Sequence, residues 1–348
     1  MKDRSRPALL ASRPLVQCAC VLVAASLLAA CGGPVTGRGA PSGAGRAGRA
    51  GELGRGSDIL QGIGALGPAS SQPLSSSAGS PPPPLVRAPT AILVDLRTGA
   101  VLFAKHPDQR RPVASVVKIM TAMLVLERAR LSDVVGVSRG AARAAPTRLG
   151  LEPRERITVG DLLWGLLLWS GNDASVALAE HVSGSLSAFK ALMNARAHAL
   201  GLRDTYFAGP SGLDDRGYST VRDVAVLARA ALRNPVFARI VSTRRHWIPG
   251  PARQIHRLRN LNDLLRTYRG AVGVKTGYTQ AAGNCVVGAA TRGRRSLLAV
   301  VLGDPARTRW RAAYADVRRL LDYGFAAPDT ALSGLGTVAA PVSSPLPA

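Results

Sequence analysis

The chain has 348 residues, enough for one large domain or two small ones. It carries 45 Lys and Arg against 21 Asp and Glu, a formal net charge of +24, and only Lys2, Lys105, Lys118, Lys190 and Lys275 are lysines. Such a charge suits an anionic partner, but the arginines are spread through the chain and do not cluster with aromatic residues, which argues against nucleic-acid binding.

The first segment places Lys2, Arg4, Arg6 and Arg13 ahead of an apolar run from Leu15 to Ala30. That run is shorter than the roughly 20 residues a membrane span needs, and its basic start and small-residue exit read as an export signal. The ending Leu28-Ala29-Ala30-Cys31 resembles a bacterial lipobox, in which Cys31 is lipidated and becomes the new N-terminus; the alternative is an ordinary signal with a chance cysteine. Cys18 and Cys20 fall inside the signal, so Cys285 alone remains in the body and no intrachain disulfide is available to the mature chain. Residues 32–87 are rich in Gly, Ala, Ser, Pro and Arg and end in the Pro81–Pro84 run, a linker that is flexible and then stiffer.

The folded region is expected over residues 88–325. Thr90–Asp95 and Val101–Ala104 read as a strand pair joined by a turn at Arg97-Thr98-Gly99-Ala100. A helix is expected to open at Pro112-Val113-Ala114-Ser115, apolar nearly all round and therefore buried. Residues 132–158 look irregular. Asp161–Trp169 reads as a buried helix, Ser170-Gly171-Asn172 interrupts it, and Asp173–Val182 begins another. Leu186–Leu200 is an amphipathic helix closed by Gly201, and Thr220 with Asp223 marks the start of a helix that Val224–Leu232 carries on. Strands follow at Ala271–Gly277, Cys285–Ala290 and Leu297–Leu302, then a final helix over 309–323 and a disordered Ala/Pro/Ser tail from residue 326. Strands at both ends with helices between predict an α+β fold: one antiparallel sheet built from both ends of the domain, packed with helices, with an inserted all-helical subdomain.

Ser115 and Lys118 are three residues apart, hence neighbours on one helix face. Spacing alone means little, because Ser187 and Lys190 repeat it on an amphipathic helix where Lys190 falls on the polar face. What lifts the first pair is Ser170-Gly171-Asn172 and Lys275-Thr276-Gly277 downstream. A serine hydroxyl needs a base to become a nucleophile. Lysine, with an ordinary pKa of about 10.4, serves only if burial or a second cation disfavours its charge, and Lys275 is the candidate second cation. Ser170, at a helix break, is placed to relay a proton to the leaving nitrogen, and Asn172 to hydrogen-bond Lys118 or a substrate amide. Lys275, Thr276 and Gly277 on an edge strand suit a substrate carboxylate, the glycine letting substrate lie close to the backbone. The N–H groups of Ser115 and Tyr278 are candidate oxyanion donors.

These stretches, in this order, resemble those of penicillin-binding proteins and serine β-lactamases. The flanking pieces Lys118-Ile119-Met120-Thr121-Ala122, Ser170-Gly171-Asn172-Asp173-Ala174, Gly212-Leu213-Asp214, Lys275-Thr276-Gly277-Tyr278-Thr279 and Ala282-Gly283-Asn284-Cys285 are similar to the serine-type D-alanyl-D-alanine carboxypeptidases over about residues 88–325. The resemblance implies removal of the terminal D-alanine from peptidoglycan stem peptides through an acyl-enzyme on Ser115. It also implies β-lactams as inhibitors, no cofactor or metal, and an extracytoplasmic location, tethered to the membrane if Cys31 is lipidated. Gly209-Pro210-Ser211, Arg154 and Val117 depart from the family pattern without removing a catalytic group. Two rivals stay open. A class A β-lactamase would need a water-activating glutamate in a context that neither Glu152 nor Glu155 has, and a protein that only binds stem peptides would not need the full set of Ser115, Lys118, Ser170 and Lys275.

Overall fold

The computed structural model describes residues 82–250, 254–305, 307, 310–327 and 337–338. The expected signal, Cys31 and most of the linker lie outside the described residues.

Five strands form the antiparallel sheet: β1 (Thr90–Asp95), β2 (Val101–Lys105), β7 (Ala271–Thr279), β8 (Gly283–Arg292) and β9 (Arg295–Asp304), in the order β2-β1-β9-β8-β7. Both ends of the domain supply it, since β1 pairs with β9 from Thr90↔Leu302 to Asp95↔Leu297. Strand alternation sends successive side chains to opposite faces, and here both faces are buried. Leu297, Ala299 and Val301 pack with Ala313, Val317, Leu320 and Leu321 of the last helix, α9 (Arg311–Ala326). Leu298, Val300 and Leu302 join the main core with the inserted helices. A central strand buried on two sides must be apolar throughout, which is why Leu297–Leu302 reads as an unbroken hydrophobic run.

The chain enters the fold slightly before residue 88. Val86 is buried, and the carboxylate of Asp316 on α9, itself fully buried, accepts from the backbone N–H of Arg87 (2.8 Å) and of Ala88 (2.7 Å) while Arg319 Nη1 donates to its other oxygen (2.8 Å). Asp316→Ala leaves two buried N–H groups without an acceptor, and unfolding in urea should show about 2–4 kcal/mol of lost stability. At the other end the tail is not wholly unstructured: Val338 is buried, its N–H donates to Gly99 O (2.8 Å), and Thr337 bridges Ala100. This corrects the expectation of disorder there; one valine capping a sheet-edge turn leaves no periodicity to read.

Between β2 and β7 lies the insertion. Its helices are α1 (Lys118–Arg128), α2 (Arg139–Ala142), α3 (Val159–Trp164), α4 (Asn172–Ser183), α5 (Leu186–Ala199), α6 (Val221–Ala231), α7 (Pro235–Ser242) and α8 (Leu264–Thr267). Caps follow the sequence rules: Thr220 Oγ1 accepts from Asp223 N (3.1 Å) and Ser185 Oγ from Ala188 N (3.1 Å). The insertion is not all-helical, however. It also holds two ribbons, β3 (Val134–Gly136) with β4 (Arg156–Thr158), and β5 (Arg245–Pro249) with β6 (Ile255–Arg259). Each strand buries a single residue (Val135, Ile157, Ile248 and Leu258), too little apolar alternation to stand out in the sequence. Arg154 has φ +70°, a left-handed conformation that glycine adopts at less cost.

Candidate active site

Ser115 sits not in an α-helix but in a tight 3₁₀ turn, Ala114–Val117, that feeds α1. Ala114 has φ +48°, so the turn is held in a strained shape by its surroundings. Two glycines do the holding. A Cβ on Gly277 of β7 would lie 2.8 Å from Ser115 N, 2.9 Å from Val113 O and 3.0 Å from Val116 N, and one on Gly212 (φ +80°) would lie 2.0 Å from Ala114 O. Gly277 therefore brings the strand itself against the nucleophile turn. Besides the room for substrate expected of it, Gly277 thus has a neighbour within the protein that its motif does not report.

Lys118 is fully buried at the start of α1. Its Nζ donates to Asn172 Oδ1 (2.6 Å) and to Ser211 O (2.7 Å), and lies 2.8 Å from Ser115 Oγ. Desolvation holds its pKa well below the ordinary lysine value, Lys275 pushes it down further, and Asp173 opposes them weakly. A neutral amine has two N–H groups and one lone pair. The two carbonyl oxygens accept the N–H groups, so the lone pair is left for the hydroxyl of Ser115. Asn172 is fixed in turn: its Nδ2 donates to Ala145 O and Pro146 O (both 2.9 Å).

Ser170 follows a wide turn, Gly165–Trp169, in which Gly171 N reaches back to Gly165 O (3.1 Å); Ser170 itself is left-handed at φ +65°. Its hydroxyl accepts from Lys275 Nζ (3.0 Å). The partner of Lys118 on this side is thus Asn172, while Ser170 belongs with Lys275. Lys275 is buried on β7, the sheet edge, also donates to Thr276 O (2.8 Å), and has its pKa drawn down to about 7 by desolvation. Thr276 is buried, whereas the Tyr278 side chain is half-exposed with its ring 6.5 Å from that of Trp310. A cavity of about 490 Å³ opens beside Thr276, lined also by Leu261, Asp263, Trp310, Arg311 and Tyr314.

Further contributors escaped sequence reasoning. Ser211 acts through its backbone carbonyl, which no side-chain motif reports. The loop that carries it is stitched in place by Thr121 Oγ1 donating to Pro210 O (2.8 Å) and Thr279 Oγ1 to Asp215 Oδ1 (2.6 Å). Asp173, fully buried, accepts from the N–H groups of Leu149, Gly150, Leu151 and Ala174, which pins the 145–151 loop on which Asn172 leans. Its place directly after Ser170-Gly171-Asn172 was the only available signal.

The two buried lysines give a pH signature. Their folded pKa values lie below the unfolded ones, so between them the unfolded chain binds more protons and stability rises with pH. The Cys285 thiol and the Tyr268 and Tyr314 hydroxyls are shifted upward by burial; they act in the opposite sense above about pH 8.5, where free thiols begin to ionise. From pH 7 to 8.5 the melting temperature should rise, by up to about 1.4 kcal/mol of stability per pH unit per lysine, and Lys275→Met should flatten the slope.

A nucleophile turn, a buried amine base and a second buried lysine on an edge strand define a serine acyl-transfer enzyme of the penicillin-binding type. Comparison with known proteins gives the family. A family model described as D-alanyl-D-alanine carboxypeptidase matches residues 77–306. The chain is 37% identical over 249 residues to the carboxypeptidase DacF of Bacillus subtilis, covering 70% of this chain and 63% of that protein. It is 38% identical over 252 residues to DacB2 of Mycobacterium tuberculosis, covering 72% and 86%. A solved D-alanyl-D-alanine carboxypeptidase from Mycobacterium tuberculosis superposes with a TM-score of 0.70 at 37% identity, over 74% of this chain and 98% of that one. A mutant form of a Streptomyces DD-transpeptidase does so at 0.65 and 33%, over 70% and 100%. The chain belongs to the D-alanyl-D-alanine carboxypeptidase family, the serine-type peptidases of bacterial cell-wall metabolism.

Proposed function

We propose that the protein is a serine D-alanyl-D-alanine carboxypeptidase that removes the terminal D-alanine from peptidoglycan stem peptides and is acylated by β-lactams as substrate mimics. The observation that carries this reading is the Lys118 amine, dry, held by two carbonyl oxygens and 2.8 Å from Ser115 Oγ. Ser115 Oγ attacks the carbonyl carbon of the penultimate D-alanine and gives its proton to Lys118. The oxyanion is received by the N–H groups of Ser115 and Tyr278, a reading supported by the close approach of Gly277, the residue before Tyr278, to Ser115 N. Lys275 and Thr276 take the terminal carboxylate. Ser170 passes its proton to the leaving nitrogen and is resupplied by the Lys275 ammonium that donates to it, and D-alanine departs; water then cleaves the Ser115 ester, its proton returning through Ser170 to Lys275 while Lys118 gives its proton back to Ser115 Oγ.

The work is done outside the cytoplasm, where stem peptides are. Attachment to the membrane through a lipid on Cys31 fits the Leu28-Ala29-Ala30-Cys31 pattern and the long Gly/Ala/Pro segment that follows it.

The β-lactamase reading is separated by turnover. Among the described residues no carboxylate hydrogen-bonds Ser115, Lys118, Ser170 or Lys275, so none stands where a β-lactamase's water-activating glutamate is needed. A fluorescent penicillin should label one site per chain and persist, and Ser115→Ala should abolish the label. Rapid multiple turnover of a chromogenic cephalosporin would favour the β-lactamase, and an unlabelled wild-type protein the binding-only reading.

A further inference from the structure

The β5–β6 ribbon has two unlike faces. In its register the pairs His246↔Leu258 and Ile248↔His256 alternate with Arg245↔Arg259, Trp247↔Arg257 and Pro249↔Ile255. The first set faces the body: Ile248 and Leu258 are buried, and the His246 ring stacks on Trp164 with centroids 3.7 Å apart. The second set is exposed throughout. Trp247 and Ile255 are 60% and 65% exposed, the most open large hydrophobic side chains described after Leu85.

The outer face is graded along its length. The arginine pair Arg245 and Arg259 lies at the root, Trp247 with Arg257 in the middle, and Pro249 with Ile255 as the outermost pair of the two strands. The root is fixed, since Asn260 Nδ2 donates to Val241 O and Thr243 O (both 3.0 Å). Among the described residues none of Arg244, Arg245, Arg257 and Arg259 forms an ion pair. The nearest acidic side chains, Glu152, Glu155 and Asp161, line a cleft beside Pro249 and Gly250 together with Arg154 and Arg156, so they do not reverse the local sign.

We propose that this outer face is a membrane-docking surface that seats Trp247, Pro249 and Ile255 in an anionic phospholipid surface. Ile255 and Pro249 reach the acyl boundary, the tryptophan beside them settles at headgroup level, and the arginines of the same face meet lipid phosphates. A soluble anionic polymer would satisfy the arginines but leave Ile255, Pro249 and the Trp247 ring in water. A two-stranded ribbon is marginal alone, and its anchoring by Asn260 and the Trp164 stack presents this outer face ready-formed. The proposal rests on a different observation from the lipidation of Cys31 and needs no catalysis.

The test uses the full chain in every variant, so that the N-terminal segment contributes equally. Tryptophan fluorescence is followed on vesicles whose lipids carry brominated acyl chains, with either phosphatidylglycerol or phosphatidylcholine as the bulk lipid. Quenching is expected on phosphatidylglycerol, removed by Trp247→Phe, weakened by added salt and shifted at least about 10-fold in lipid concentration by the triple change Arg245→Gln, Arg257→Gln and Arg259→Gln. Penicillin labelling should be unchanged in all of them, which shows that they fold. Quenching that survives Trp247→Phe, that is equal on the two lipids, or that ignores the arginine changes overturns the proposal. So does binding to isolated cell-wall sacculi without quenching on vesicles.

Discussion

Lys118→Ala should slow acylation of Ser115 by penicillin by about 10²–10⁴-fold, the usual worth of a positioned general base, with Ser115 still in its turn. The size follows from the wiring. Among the described residues no second base is hydrogen-bonded to Ser115, whose hydroxyl otherwise meets the carbonyl oxygen of Ser211 at 3.5 Å. Lys118→Arg should fare no better, because a guanidinium keeps its proton and offers no lone pair. The measurement is the second-order rate of labelling by a fluorescent penicillin. Lys190→Ala, in the repeated Ser-x-x-Lys spacing on α5, is the control and should leave that rate unchanged. Full labelling by Lys118→Ala would remove the lysine from the mechanism.

Gly277→Ala should be nearly as damaging for a different reason. The added methyl carbon meets three backbone atoms, Ser115 N, Val113 O and Val116 N, at 2.8–3.0 Å. None can rotate away, and β7 cannot retreat because it is paired to β8 from Thr279↔Gly283 inward. Overpacking of this kind costs about 1–3 kcal/mol, and the displaced turn should lower acylation at least about 100-fold, since ångström errors of position cost that much. Gly136→Ala, where a Cβ would meet nothing within 4 Å, should change neither labelling nor melting temperature.

These two residues mark how far the sequence could be read. Lys118 was legible because a lysine in an apolar helix is anomalous by itself, and because Ser170, Asn172 and Lys275 recur downstream in a recognisable order. The sheet was legible because Ile92–Val94 and Leu297–Leu302 are long apolar runs at opposite ends of the domain. Gly277 was found as part of a motif, but its function as a contact between β7 and the Ser115 turn depends on two segments far apart in the chain. Ser211 was invisible because it contributes a carbonyl oxygen that any residue has. The β5–β6 ribbon was missed because Ile248 and Leu258 are its only fully buried residues, and the Arg-rich outer face resembles a loop. The α7 helix was missed because Asn234, whose side chain accepts from the N–H groups of Val236 and Phe237, caps a helix only two turns long.

The central claim is that Ser115, with Lys118 as its base, releases D-alanine from peptides ending in D-Ala-D-Ala. The direct test is to incubate the purified protein with such a peptide and quantify free D-alanine beside Ser115→Ala. The wild-type protein should release one D-alanine per peptide, prior penicillin treatment should block it, and Ser115→Ala should release none. D-alanine release by Ser115→Ala at the wild-type rate would contradict the account.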